Sequence, residues 1–385
     1  MKTEAFLSTY LKQVNGRDQF LFFAPGRVNL MGDHTDYTGG YVLPAAISLG
    51  TYLFVRLLPG NELRLTSENL NDQQIISLDN FSKPTGQWTD YPVGVLCELE
   101  KQGWEKQGLE LIYFGDVPAN AGLSSSASIE MVTAFAMNTL FHLEIPLKEL
   151  ALLSQRAENH FVGVHCGIMD QYTSAMGKPD HALLIDCHKV EHKEISAELE
   201  NYKLVAVNSN VKHALVNSVY NQRVEELRQV KKILNSFFEV PYLGHLTGDD
   251  YEWLDKLVES PLLKKRLRHV VNENVRVQYV AELLEQKNYQ MIGQLMYDSH
   301  ESLAFDFEVS CKELDVLVKI ASRTDGVVGA RMTGAGFGGC TLNLVKAGAL
   351  SSFQDKIATD YKKETGLDAV IYPLSLNGET KMLSK

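Results

Sequence analysis

Short apolar and β-branched runs, separated by Gly, Pro and Asn, alternate with helical periodicity along the first half of the chain. Such runs predict strands, here at residues 20–23, 42–46, 50–57, 110–114 and 181–186. Apolar residues at every third or fourth position predict helices at 128–141 and 147–161. The first half is therefore expected to be a sheet with interspersed helices.

The second half starts with a change of composition near residues 188–200. Beyond it we predict strands at 202–207, 340–345 and 369–373, and helices at 218–234, through much of 251–303, and at 350–363. A chain of 385 residues exceeds one ordinary core. We therefore predict an α+β protein of two domains, 1–195 and 196–385.

Charge and composition narrow the class of partner. The formal net charge is −11 and no dense cluster of lysine and arginine occurs, which argues against nucleic acid and anionic membranes. No apolar N-terminal segment or membrane-length apolar run is present. The five cysteines are an odd number without framework spacing, so we expect a cytoplasmic protein with reduced thiols. A phosphate ligand remains possible, since backbone amides can hold one.

The first chemically rich segment is residues 24–40, with the sequence APGRVNLMGDHTDYTGG. Two carboxylates, an imidazole and a guanidinium fall within ten residues of it. A polar surface loop is the plainer interpretation, but the apolar Val28, Leu30 and Met31 indicate that the segment is packed. Carboxylates and imidazoles bind vicinal hydroxyls well, and such sites can separate epimers of a sugar.

Two glycine-containing loops follow. Residues 118–128, PANAGLSSSAS, precede the predicted helix, whose N-terminus offers free N–H groups to an anion, while the hydroxyls can add a magnesium ligand. A serine N-cap is the plainer interpretation there. Residues 331–340, RMTGAGFGGC, hold four glycines in six positions and can approach a ligand or another loop closely. A tight turn is the plainer interpretation of this second loop.

Together and in this order, the three segments resemble those of the GHMP kinases. Residues 26–37, GRVNLMGDHTDY, resemble the sugar motif of the members that phosphorylate galactose, and the resemblance extends from about residue 22 to residue 340. It implies an N-terminal mixed-sheet domain like the second domain of ribosomal protein S5 and a ferredoxin-like C-terminal domain, with the active site in the cleft between them. It also implies transfer of the ATP γ-phosphate to the C1 hydroxyl of galactose, the first committed step of galactose breakdown.

The resemblance implies a role for each matching position. Asp170 would lie next to the C1 hydroxyl as its general base. Arg27 would lie between that hydroxyl and the γ-phosphate, stabilise the transferring group and keep Asp170 ionised. A structural ion pair is the plainer interpretation of the two residues. Whether Asp170 removes the proton before transfer or only orients the hydroxyl stays open.

The remaining matching positions form three groups. The sugar would be bound by Asp33, His34, Thr35, Asp36, Gly167 and Tyr220. The nucleotide and its phosphates would be bound by Asn120, Ala121, Gly122, Leu123, Ser124, Ser125, Ser126, Ser67 and Trp88. Mg²⁺ would be ligated by Ser126 and Glu158. The expected cofactors are therefore ATP and Mg²⁺, and the chain is expected to be a monomer.

The chain departs from the family pattern in two places. Asp33 stands where glutamate is usual as a contact to the sugar's C6 hydroxyl, and its side chain is shorter by about 1.5 Å of reach. We hypothesise relaxed selectivity at C6, although a backbone shift or a bridging water could preserve the contact. Asn120 and Ala121 replace glycine-rich residues, and no loss of function is expected from them.

Two other kinds of function remain open. One is another anomeric kinase of the family, acting on N-acetylgalactosamine, arabinose or galacturonate; Asp33 disfavours a uronate and would have little to bind on arabinose. The other is a sensor that binds galactose and ATP without turnover. The serine loop is damaged in such sensors, whereas residues 122–127, GLSSSA, are intact here.

Overall fold

The computed structural model describes residues 2–14, 16–118, 121–211 and 216–384. The strands of this described part are β1 Gln19–Asn29, β2 Tyr41–Val42, β3 Pro44–Leu58, β4 Glu62–Ser67, β5 Asp72–Ser77, β6 Gly108–Gly115, β7 His181–Asp186, β8 Glu191–Ser196, β9 Tyr202–Asn208, β10 Val327–Thr333, β11 Cys340–Lys346, β12 Val370–Leu374 and β13 Lys381–Ser384. Its α-helices are α1 Thr3–Tyr10, α2 Asp90–Glu100, α3 Ser125–Leu140, α4 Leu147–Ala157, α5 Met169–Met176, α6 Val216–Asn235, α7 Gly248–Leu257, α8 Pro261–Glu285, α9 Tyr289–Phe305, α10 Lys312–Ser322 and α11 Leu350–Thr365.

The first sheet has six strands in the order β13-β1-β3-β6-β4-β5, with β4 and β6 parallel and the other pairs antiparallel. Alternation along β1 sends Phe20 and Phe22 to one face and Leu21 to the other. The Phe20 face packs against the helices α2 to α5, and the Leu21 face packs against α1. Both faces are therefore covered, and β1 and α3 are fixed side by side beneath the site.

The second large sheet has the order β10-β11-β9-β12 and is antiparallel throughout. With β9 as its first strand, this is the ferredoxin-like order, enlarged by the helices α6 to α9 between β9 and α10. Val205 and Val207 pack against α10 and α11. Leu204 and Ala206 face a core shared with Val28 of β1 and with α8 and α9. This shared core holds the two sheets together. A third, small sheet has the order β2-β7-β8.

Most of the elements predicted from the pattern occur, with several corrections. β1 runs on to Asn29, so residues 24–29, the first part of the segment 24–40, form a strand and not a loop. The two strands predicted at 42–46 and 50–57 are largely one strand, β3. α3 begins three residues before its predicted start, and α4 ends at Ala157, where a π-helical turn, Glu158–Val162, follows.

Several elements were not predicted, among them β4, β5, α1, α2, α10 and β10. β13, close to the C-terminus, pairs with β1, with Met382 opposite Phe22. The division at residue 195 stays a prediction, and the first sheet takes one strand from beyond it. Among the described helices, none has the length and apolar character needed to cross a membrane.

Candidate active site

The three chemically rich segments meet at the end of β1. The Arg27 amide donates to the Leu123 carbonyl at 3.2 Å, which lays the loop before α3 against the strand. Gly122 has a φ of +72°, and a Cβ there would lie 2.7 Å from the Thr333 carbonyl oxygen. A Cβ at Gly334 of the third segment would in turn lie 3.0 Å from Gly122 Cα, so the two backbones are in close contact. The ring of His34 also contacts this segment, with Nε2 3.2 Å from the Ala335 carbonyl oxygen.

Arg27 and Asp170 form a two-pronged ion pair at the meeting point. Arg27 Nε donates to Asp170 Oδ1 at 2.8 Å, and Nη2 donates to Oδ2 at 2.9 Å. Arg27 Nη1 donates to the Gly122 carbonyl at 2.6 Å, and the Ser124 hydroxyl donates to Asp170 Oδ2 at 2.5 Å. The Asp170 side chain is 26% exposed and that of Arg27 is 5% exposed. Arg27 therefore fixes the carboxylate from behind, and the carboxylate is the group open to a ligand.

The loop before α3 presents the helix N-terminus to the same place. Ser124 takes the left-handed conformation, φ 61° and ψ 49°, directly before the first residue of the helix, Ser125. The first N–H groups of an α-helix have no partner within the helix, and the dipole adds positive potential there. Ala121 and Leu123 are buried and support the loop from below. Asn120, predicted to bind phosphate, lies outside the described residues.

Glu158 opens the π-helical turn after α4 and lies at the N-terminal end of α3. Its carboxylate is buried and lies beside the Ser126 side chain, so the two residues predicted to ligate a metal are close together. Burial, together with the nearby Asp170, raises the pKa of Glu158 to about 7. A buried carboxylate among other acidic groups gains from a divalent cation, and a hydroxyl beside a carboxylate is an oxygen donor pair that suits Mg²⁺. These residues therefore fit the ion.

Asp36, His34 and Tyr220 surround the space next to Asp170. Burial, followed by the charge of Asp170, raises the pKa of Asp36 to about 7. Burial lowers the pKa of His34 to about 3, so the ring is neutral, and its Nδ1 lies 3.0 Å from the hydroxyl oxygen of Tyr37. The Tyr220 ring lies 5.5 Å from the His34 ring. An aromatic wall with neutral and acidic hydrogen-bonding groups suits a polyhydroxylated ring.

Gly167 and Thr35 shape this pocket without pointing a functional group into it. A Cβ at residue 167 would lie 2.1 Å from Asp36 Oδ2, so glycine is required for the carboxylate to stay in place. The Thr35 hydroxyl is buried between the carbonyls of Gly32 and Tyr41, at 2.8 and 2.7 Å, and holds the turn. A direct sugar contact from either residue stays a prediction.

Asp33 is held by the protein itself. Its Oδ1 accepts from Asn29 Nδ2 at 2.9 Å and from the Gly334 amide at 3.3 Å, and its Oδ2 pairs with Arg331 Nη2. Arg331 is completely buried, and its Nη2 also lies 3.7 Å from Glu273 Oε1. Both Asp33 oxygens therefore have partners. Through Gly334 and Arg331 they tie residues 26–37, called the sugar segment below, to the second half of the chain.

Ser67 and Trp88 lie together at the edge of the first sheet. Ser67 pairs in register with Asp72 across β4 and β5, and Trp88 Nε1 donates to Asp72 Oδ2 at 2.8 Å. The Trp88 ring packs edge-on against Tyr113, 5.8 Å away. The indole is half-buried, so one part of it remains open. A contact of either residue with the nucleotide stays a prediction.

Two residues that shape the site were missed as such by sequence reasoning. Arg331 begins the third glycine segment, but nothing in the pattern pairs it with Asp33. Glu273 lies within α8, where its position looks like one more charged residue on a helix, yet it is buried and accepts from the Gly32 amide at 3.0 Å. No local sequence signal could have identified these contacts.

Comparison with known proteins gives consistent results along the whole chain. Residues 5–57 match the galactokinase galactose-binding signature, residues 90–178 match the GHMP kinases N terminal domain, and residues 280–363 match the GHMP kinases C terminal domain. The galactokinase of Clostridium beijerinckii is 40% identical over 371 residues, covering 94% of both chains. The galactokinase of Enterococcus faecalis is 37% identical and covers 99% of both.

Solved structures give the same result. The crystal structure of Lactococcus lactis galactokinase complexed with galactose has a TM-score of 0.94, with 35% identity and 99% of both chains covered. Methanococcus jannaschii mevalonate kinase has a TM-score of 0.66 at 21% identity, covering 94% of this chain and 99% of that one. The second match supports the fold alone.

Proposed function

The chain belongs to the galactokinases of the GHMP kinase family, and from this premise we propose that it transfers the γ-phosphate of ATP to the C1 hydroxyl of α-D-galactose. The products are galactose 1-phosphate and ADP. The observation that carries the proposal is the Arg27–Asp170 pair next to the N-terminus of α3, with Asp170 as the more exposed partner. This arrangement puts an acceptor for a hydroxyl proton beside an anion site.

Asp170 acts as the base and Arg27 as the electrostatic partner. The C1 hydroxyl donates its proton to the Asp170 carboxylate, its oxygen forms a bond to the γ-phosphorus, and the bond from that phosphorus to the bridging oxygen of ADP breaks. Arg27 keeps the carboxylate in position through two bonds and counters the negative charge near the transferring group. The reaction needs positioning and charge compensation more than covalent catalysis.

The loop before α3 holds the phosphates. Backbone N–H groups at the start of the helix, with the hydroxyls of Ser125 and Ser126, bind the anion without a basic surface. Ser126 and Glu158 would hold Mg²⁺, which would supply positive charge to neutralise the phosphates. In this proposal Ser67 and Trp88, at the edge of the first sheet, contact the nucleoside.

The sugar lies against Asp36, His34 and Tyr220, beside Asp170. Because Asp33 is fully occupied by Asn29, Gly334 and Arg331, it contributes little to the C6 hydroxyl, and we retain relaxed selectivity at C6 as a proposal. The test compares galactose with 6-deoxygalactose in the wild type and in an Asp33→Glu variant. Equal or stronger discrimination against 6-deoxygalactose by the wild type would refute it.

We also propose that the chain works alone and in the cytoplasm. Every residue assigned to sugar, phosphate or cation comes from one chain, so a second copy is not needed to complete the site. All five cysteines are free thiols, which suits a reducing compartment. Size-exclusion chromatography with light scattering tests the monomer.

The experiment that tests the function measures ADP release with ATP and Mg²⁺ against a panel of sugars. The panel holds galactose, glucose, 6-deoxygalactose, N-acetylgalactosamine, arabinose and galacturonate, with Asp170→Asn as the control. Turnover on galactose that the control abolishes, with little on glucose, is expected. Preference for N-acetylgalactosamine or arabinose would assign the alternative kinase, and binding of galactose and ATP without turnover would assign the sensor.

A further inference from the structure

Glu130 is a buried acidic residue that the mechanism leaves without a role. It lies on α3, one turn after Ser126, and its side chain is completely buried. Its Oε2 accepts a hydrogen bond from Gln171 Nε2 at 2.9 Å, while its Oε1 has no partner within the described part of the chain. The negative charges of Glu158 and Asp170 both disfavour a negative charge on the Glu130 carboxyl.

Packing alone does not explain a carboxylate here. A buried carboxylate with one neutral donor is unfavourable compared with an apolar residue of similar volume, such as methionine, which would fill the same space. A buried polar group kept in such a position is commonly retained to hold a neighbouring group in place. The neighbouring group is the amide of Gln171.

The Gln171 amide joins Glu130 to Glu158. The same Nε2 atom donates to Glu130 Oε2 and, at 2.5 Å, to Glu158 Oε2. If the amide were turned over, its carbonyl oxygen would face both carboxylates, so Glu130 fixes the orientation in which nitrogen meets Glu158. Glu158 Oε2 also accepts from Cys166 Sγ at 3.3 Å. Both bonds fall on Oε2, which leaves Oε1 with capacity for a cation.

The positions of these residues link the three parts of the site. Glu130 is on α3, which follows the loop assigned to the phosphates, Gln171 directly follows Asp170 on α5, and Glu158 is in the π-helical turn. A side chain that supports a metal ligand through a hydrogen bond typically changes metal affinity or activity by about 10- to 100-fold when it is replaced.

We propose that Glu130 is a positioning residue for phosphoryl transfer. It holds the Gln171 amide, and that amide holds the Glu158 carboxylate in the orientation that receives a divalent cation together with Ser126. The inference rests on the proposed function, because the cation role of Ser126 and Glu158 belongs to it.

The test compares Glu130→Met, which removes the acceptor at similar volume, with Glu98→Met in the full-length protein. Glu98 is a buried glutamate of the same half of the chain, paired with Lys101 and Arg156, and serves as the matched control. Mn²⁺ binding in the presence of ADP is measured by electron paramagnetic resonance, and galactose binding by calorimetry without metal. Glu130→Met is expected to weaken Mn²⁺ binding by about 10- to 100-fold and leave galactose binding unchanged. Glu98→Met is expected to change neither.

A second variant keeps the test decisive if Glu130→Met is poorly folded. Gln171→Met removes the connecting amide at similar volume and should weaken Mn²⁺ binding to the same degree. The double variant should bind Mn²⁺ no more weakly than either single variant, because both substitutions break the same connection from Glu130 through Gln171 to Glu158. Unchanged Mn²⁺ binding in a folded single variant, or additive losses in the double variant, would overturn the proposal.

The two proposals can fail separately. Wild-type protein that does not bind Mn²⁺ with ADP would remove the cation site and, with it, the role of Glu130. Wild-type protein that binds Mn²⁺ but phosphorylates no sugar would remove the proposed function, while the comparison between Glu130→Met and Glu98→Met would still decide whether Glu130 supports the cation site.

Discussion

Replacement of Arg331 by methionine should destabilise the protein more than any change to its partner Asp33. The guanidinium is completely buried, pairs with Asp33 and donates to the Leu30 carbonyl at 3.0 Å. Glu273 Oε1 lies 3.7 Å from Arg331 Nη2, and Glu273 is also buried. Burial alone would raise the pKa of Glu273, but Arg276 and Arg331 outweigh it and lower that pKa to about 2. Loss of Arg331 leaves two buried carboxylates short of a counter-charge, which costs about 3–5 kcal/mol.

The change at Asp33 should cost less. Asp33→Asn keeps a hydrogen-bond acceptor of the same shape, and Arg331 retains Glu273 as a counter-charge. We therefore expect a loss of about 1–3 kcal/mol. The double variant should be less destabilised than the sum of the two by about 1 kcal/mol or more, since the residues share one interaction.

Urea unfolding followed by circular dichroism measures these losses, and calorimetry measures galactose binding. Arg266→Met is the matched control, because Arg266 is equally buried and paired, with Glu226 and Glu308, and is connected to the sugar segment through the Phe307 ring rather than by an ion pair. Both arginine variants should lose stability, and only Arg331→Met should also weaken galactose binding. A smaller loss for Arg331→Met than for Asp33→Asn, or the same galactose affinity as wild type, would refute the reasoning.

Three further changes test the pocket itself. Arg27→Lys loses the two-pronged geometry toward Asp170 and should lower kcat by about 100- to 1,000-fold with a smaller effect on KM for galactose, which steady-state kinetics checks; a wild-type kcat would contradict it. Gly167→Ala displaces the Asp36 carboxylate and should lower kcat/KM for galactose on the order of 100-fold, whereas an unchanged value would show that the carboxylate tolerates the methyl group. Burial and Asp170 raise the pKa of Asp36 to about 7. Between about pH 4 and 7 the folded protein therefore holds a proton that the unfolded protein has lost. The free energy of unfolding should fall as pH rises through that window, by up to about 1.4 kcal/mol per pH unit. Asp36→Asn should flatten this fall in urea titrations across pH, and identical slopes would argue against it.

The strand and helix pattern was readable where one face is apolar and the other polar. β7 matches its predicted range, 181–186, because its apolar residues are bounded by turn residues. β5, DQQIIS, was missed because it is a short, polar edge strand with alternating exposure. The π-helical turn at Glu158 was missed because it continues the periodicity of α4, and it is recognised by backbone bonds such as that from the Gly163 amide to the Glu158 carbonyl.

The site was predictable where chemistry is concentrated in short segments. The Arg27–Asp170 contact was implied by the resemblance, and the structure forms it across 143 positions of sequence. The contact between Asp33 and Arg331 spans 298 positions and depends on how the two halves pack. Glu130 was not predicted because one glutamate on an apolar helix carries no signal until its neighbours are known.

The central claim is transfer of a phosphoryl group to the anomeric oxygen of galactose by Asp170 and Arg27. The most direct test is ³¹P NMR of the product formed from galactose, ATP and Mg²⁺, with the wild type and Asp170→Asn side by side. We predict an ester phosphorus coupled to the anomeric proton with wild-type protein, and no such signal with Asp170→Asn. Phosphate on another hydroxyl, inorganic phosphate alone, or the same signal from Asp170→Asn would contradict the account.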